Sequence, residues 1–135
     1  MTFDGTRATN GIHPLWQVSA AGGAWMAGAA ARTLMLLLAS IFDTVTAVLV
    51  FLIARRITGK ESAGLLGAAS YGLGYHSVVF SLNGSDTTIS AFFFTAFTLA
   101  FFMMVESSGW RRTVVFGIVG GLTFLARTDN AVLLF

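Results

Sequence analysis

Chemistry in this chain would have to come from a few polar clusters. The first is Asp4, Arg7, Asn10 and His13 in MTFDGTRATNGIHP; the second is Asn83, Ser85 and Asp86 in SLNGSDTT. The third, Arg127, Thr128, Asp129 and Asn130, interrupts an apolar stretch. Asp43 stands apart in TLMLLLASIFDTVTAVLVFLIA. His13 can exchange a proton near neutral pH, and a carboxylate can act as a general base or hold a divalent cation. Arg127 has the planar fork of donors that suits a phosphate, and Asp129 could instead neutralise it as a structural pair. Two acids and an arginine on one side of a membrane suit a phosphate-bearing lipid substrate that carries a sugar. Asp86 can also cap the helix that begins around Thr88. Cysteine is absent, so thiolate chemistry, disulfides and zinc–cysteine sites are excluded.

The elements that must carry these residues are apolar. Of 135 residues, 56% are hydrophobic and 10% charged, against roughly 25% charged in a soluble domain. The expectation is an all-α, polytopic membrane protein. It has about four transmembrane helices over residues 33–54, 62–80, 88–105 and 113–135. Residues 1–32 form an outer loop and an interfacial or re-entrant helix over Leu15–Ala31, with Trp16 and Trp25 at headgroup level. The glycines and alanines of 62–80 suit close helix packing. The six phenylalanines of 88–105 read as lipid-facing bulk.

Loop charge sets the orientation. Arg55, Arg56 and Lys60 follow the first span, and Arg111 and Arg112 precede the fourth; together they are five of the eight basic residues. The positive-inside rule puts both loops in the cytoplasm. Residues 1–32, the 81–87 loop and the 127–130 turn then share the opposite face. Net charge is +2 without a basic stripe, so nucleic acid is not an expected partner. Asp43, mid-span, costs about 2.5–3.5 kcal/mol on the insertion scale unless paired or hydrated. Its structural reading is an acid that stays protonated or bonds to Ser40, Thr44 or Thr46 on neighbouring helices, and its functional reading a site residue.

Three segments carry a resemblance. Thr9-Asn10-Gly11-Ile12-His13-Pro14-Leu15-Trp16 resembles the "TNG-x-HPLW" stretch of the first external loop of GT-C superfamily glycosyltransferases. The branch is the one similar to dolichyl-phosphate-mannose–protein mannosyltransferases. Asn83-Gly84-Ser85-Asp86-Thr87 is similar to that branch's "NG-x-E-T" loop, with Asp86 where Glu is usual. Gly121-Leu122-Thr123-Phe124-Leu125-Ala126-Arg127-Thr128-Asp129 resembles its "GL-x-FL-x-R-x-D" segment.

The resemblance implies a partial GT-C-like fold and an N-terminal-region fragment of a larger enzyme, inactive alone, with the principal base ahead of Met1. It implies transfer of a sugar from a polyprenyl-phosphate donor to a glycan, lipid or protein hydroxyl. The setting would be the outer or lumenal face of an integral, multi-pass protein in the plasma (inner) membrane. Asp86 and, more weakly, Asp4 would be catalytic; Arg127, Asp129, His13, Asn10 and Asn83 would bind substrate. A divalent cation, Mg or Mn, would sit at Asp86 if one is used. The alternative from another class is a small helical membrane protein with a structural or transport role, in which Asp43 and Arg127 are a buried pair or an ion-path element.

Overall fold

A computed structural model describes residues 13–107 and 109–130. The described residues are all-α, and the helices follow the apolar runs. Pro14, whose fixed φ suits a first helical position, opens α1 (Pro14–Ala27). A 3₁₀ turn at Gly28–Ala30 leads into α2 (Ala31–Thr58). There follow α3 (Glu61–Gly72), α4 (Tyr75–Leu82), α5 (Asp86–Glu106) and α6 (Trp110–Ala126), then a 3₁₀ turn at Thr128–Asn130.

Two stretches are long and apolar enough to cross a membrane: Pro14–Thr58, 45 residues through the Gly28–Ala30 turn, and the 21-residue α5. At 1.5 Å per residue α2 alone is about 42 Å long. It is the central element, with α1, α3, α4 and α5 all packed on it, while α6 packs on α5 and reaches α1.

Small residues permit this packing, as they do where lipid removes any hydrophobic drive between helices. Gly59, at φ +70°, ends α2, and its N–H donates to the Arg55 carbonyl at 2.8 Å. The chain reverses there and lays α3 along α2. A Cβ at Gly64 would come within 2.7 Å of the Phe51 ring, and one at Gly67 within 3.3 Å of Ala54 Cβ. On the other side, Phe97 stacks on Phe116 at 4.6 Å between centroids, over Gly120.

Several sequence expectations change. The stretch 62–80 is not one helix: it breaks at Leu73–Gly74 into α3 and α4. The apolar run gave no sign of this, but a Cβ at Gly74 would stand 3.0 Å from the Tyr71 carbonyl oxygen, so a side chain would crowd this tight turn. The stretch 113–135 is helical only to Ala126, and 131–135 lie outside the described residues. The phenylalanines of α5 are not simply lipid-facing. Phe92 and Phe93 lie 5.1 and 6.3 Å from Phe42 of α2, and Phe97 meets α6. Leu15–Ala31 is helical to Ala27 and packs on α2, with Gly23 buried against Met35.

Candidate functional site

Two ends of the bundle differ in chemistry. One carries Arg55, Arg56, Glu61, Glu106, Arg111 and Arg112. Arg56 donates from two guanidinium nitrogens to the Glu106 carboxylate, tying the α2 terminus to the α5 terminus. The other end gathers His13, the turn before α5, and the turn after α6.

The turn before α5 is built by its own sequence. Asn83 closes α4, and Gly84 follows at φ +60°. The Ser85 N–H donates to the Phe80 carbonyl at 3.0 Å and the Gly84 N–H to the Ser81 carbonyl at 3.2 Å. These are the paired bonds of a Schellman C-cap, which favours glycine at the left-handed position. Gly84 also sits against Leu36 of α2, 3.2 Å from where its Cβ would be. Ser85 then caps α5, its Oγ accepting from the Thr87 N–H at 3.2 Å. The expectation that Asp86 caps the helix is therefore corrected: Ser85 supplies the cap, and Asp86 is the first helical residue.

The Asp86 carboxylate is instead turned to another part of the chain. His13 Nε2 lies 3.0 Å from Asp86 Oδ2, both side chains being about one-fifth exposed. Among the described residues His13 Nδ1 is buried and has no hydrogen-bond partner. If Nε2 carries the proton donated to Asp86, Nδ1 presents a lone pair, the tautomer logic by which a carboxylate orients a histidine base. His13 is placed by Pro14, which starts α1, and by its carbonyl, which accepts from the Gln17 N–H at 3.0 Å.

The turn after α6 joins the same end. Arg127 adopts an extended backbone at φ −150°, and its N–H donates to the Thr123 carbonyl at 3.3 Å. Asn130 Nδ2 donates to Ser90 Oγ and to the Thr123 carbonyl, each at 3.1 Å. Ser90 lies four residues after Asp86, hence on the same face of α5. Asn130 belongs to the third polar cluster, but Ser90 was not singled out by sequence reasoning; the i,i+4 spacing from Asp86 is the signal that could have found it.

Of the expected site residues, His13 and Asp86 are brought into contact. Arg127 is part-buried in the adjoining turn and is engaged by other groups. Asn83 is exposed in its turn, and Asp129 lies on the 3₁₀ turn. Asp4 and Asn10 lie outside the described residues. Among the described residues no three His, Asp or Glu side chains converge as metal ligands.

Asp43 has partners other than those expected. Ser40, Thr44 and Thr46 return their hydroxyls to carbonyls of their own helix, at Leu36, Ser40 and Phe42. Asp43 instead accepts from Tyr71 at 2.8 Å and from Ser77 at 2.7 Å. Those residues lie on either side of the α3–α4 break. Asp43 therefore staples both half-helices to α2, beside a cavity of about 180 Å³ that Thr87 and Thr88 also line.

The family model described as Dolichyl-phosphate-mannose-protein mannosyltransferase matches residues 14–135. The chain belongs to this family. Neither a curated protein nor a solved structure matches it. The mannosyltransferase match takes in α1 through α6, and so covers Asp86 and Arg127; His13 precedes its first residue.

Proposed function

We propose that this chain is part of an integral membrane glycosyltransferase that moves a sugar from a polyprenyl-phosphate donor to an acceptor hydroxyl. The observation that carries this reading is the 3.0 Å His13–Asp86 contact, which joins the first polar cluster to the second in a chain of the mannosyltransferase family. In this reading the helices of residues 31–58, 61–82, 86–106 and 110–126 cross the membrane. The arginine end faces the cytoplasm and the His13 end the outer or lumenal side, as the positive-inside rule favours.

The reaction asks little of the protein beyond positioning and proton transfer. A base takes the proton of the acceptor hydroxyl, and the oxygen attacks the anomeric carbon. The bond from that carbon to the phosphate oxygen breaks, and its electron pair leaves with the lipid phosphate. Asp86, about one-fifth exposed and held by the His13 ring, is the group that takes the proton of the acceptor hydroxyl. Arg127, just past the end of α6, offsets the leaving phosphate with its fork of donors. Asn130, bonded to Ser90, holds that turn against α5.

Transfer of labelled mannose from polyprenyl-phosphate-mannose in membranes containing the protein tests this. Asp86→Ala and His13→Ala are each expected to lower transfer by about 10²-fold or more, the usual scale for losing general-base assistance. Arg127→Ala is expected to raise KM for the lipid donor more than it lowers kcat. Full transfer by Asp86→Ala would remove this end of the bundle from the site, and unchanged donor kinetics in Arg127→Ala would remove its phosphate role.

A further inference from the structure

The arginine end, opposite the proposed site, has a groove that the reaction above does not use. It runs between α5 and α6, with Ala100, Met103 and Val115 as its walls and Arg111 and Arg112 at its rim, enclosing about 120 Å³. Met103 also lines a second hollow of about 370 Å³ on the other side of α5, rimmed by Arg55 and Arg56. The cations of the two rims are not equivalent. Arg56 is paired with Glu106, and Arg55 lies 3.7 Å from Glu61. Among the described residues Arg111 and Arg112 lie within ion-pair distance of no carboxylate, though Arg112 still acts on Glu106 at longer range. Arg112 donates to the Met103 carbonyl at 2.7 Å, and the Arg111 guanidinium stands 5.7 Å from the Trp110 ring. Trp110 itself is 73% exposed at the start of α6.

We infer that the α5–α6 groove binds an anionic phospholipid, its phosphate at Arg111 and Arg112 and an acyl chain along Ala100, Met103 and Val115. Three features match that ligand. The groove changes from charged rim to apolar wall within about one helical turn, as a lipid changes from phosphate to chain. Trp110, beside the rim residue Arg111, is of the type that settles at the headgroup level. Five cations, Arg55, Arg56, Lys60, Arg111 and Arg112, face only Glu61 and Glu106 at this end, so a net negative headgroup complements it where a zwitterionic one does not. The inference rests on the chain lying in a membrane, not on the His13–Asp86 chemistry, and the two readings can fail separately.

Native mass spectrometry of the protein released from nanodiscs of equal phosphatidylglycerol and phosphatidylcholine tests it. The expected result is retained phosphatidylglycerol in preference to phosphatidylcholine, unaffected by millimolar inorganic phosphate. The double variant Arg111→Gln, Arg112→Gln is expected to lose roughly twenty-five-fold in retention, since each surface arginine contributes about five-fold toward an anionic headgroup. Arg32→Gln, outside the groove, should retain lipid as the parent does, and matching helical circular dichroism spectra for all three proteins show that the double variant is folded. Equal retention of the two lipids, displacement by inorganic phosphate, or parent-like retention by the double variant would each overturn the inference.

Discussion

Asp43 is a part-buried acid whose hydrogen bonds give it a structural role. Both of its oxygens accept hydroxyl hydrogen bonds, one from each half of the broken second apolar stretch. Interhelical hydrogen bonds in membranes average below about 1 kcal/mol, because alternative partners exist in the unfolded chain. Asp43→Ala is therefore expected to cost about 1–2 kcal/mol in mixed-micelle unfolding, and Asp43→Asn roughly half of that, since one acceptor oxygen survives. A transfer assay on Asp43→Asn should show near-parent kcat. A loss as large as that of Asp86→Ala would instead place Asp43 in the chemistry. His13 makes the complementary case. As a lone histidine in a polar segment it offered little in the sequence; its contact with Asp86 and its buried Nδ1 arise only when α1 is laid beside the α5 terminus.

At the level of elements, the α2–α3 hairpin depends on two glycines with different duties. Gly59 turns the chain at positive φ, and Gly64 lets the helices approach. A valine at 64 would drive its Cβ into the Phe51 ring and within 3.0 Å of the Phe51 carbonyl oxygen. Gly64→Val is expected to destabilise by about 1–3 kcal/mol, the range for overpacking. Because backbone as well as ring opposes it, Phe51→Ala should restore only part of the loss, and full rescue in a double-mutant cycle would show the backbone contact to be unimportant. Helix existence was legible from the apolar runs here, and so were the Asn83–Gly84 turn and the Arg127–Asn130 interruption. The α3–α4 break was not: Gly72, Leu73 and Gly74 look like the small-residue packing of any membrane helix, and composition does not say which glycine bends.

For the whole molecule, the polar ends sort by charge. The Arg56–Glu106 contact and the His13–Asp86 contact lie at opposite termini of α5, so the basic loops share one end and the expected site residues the other. The absence of cysteine makes the orientation readily measured. In intact cells, Thr58→Cys and Ser107→Cys are expected to resist a membrane-impermeant maleimide until the cells are opened, whereas Asn83→Cys should label from outside. Labelling of Thr58→Cys from outside would invert the orientation.

The sequence by itself determined the apolar helices, the asymmetry of loop charge and the three polar clusters, because these follow from composition and local spacing. Family membership was also visible there, in short motifs at the cluster positions. Only the tertiary structure decided which polar groups meet. Ser85 rather than Asp86 caps α5, Asp43 bonds Tyr71 and Ser77 rather than its own helix, and Asn130 reaches Ser90. Each of these depends on where helices cross, and crossings are set by steric fit at glycines such as Gly64 and Gly84, which the hydropathy of a linear chain does not encode.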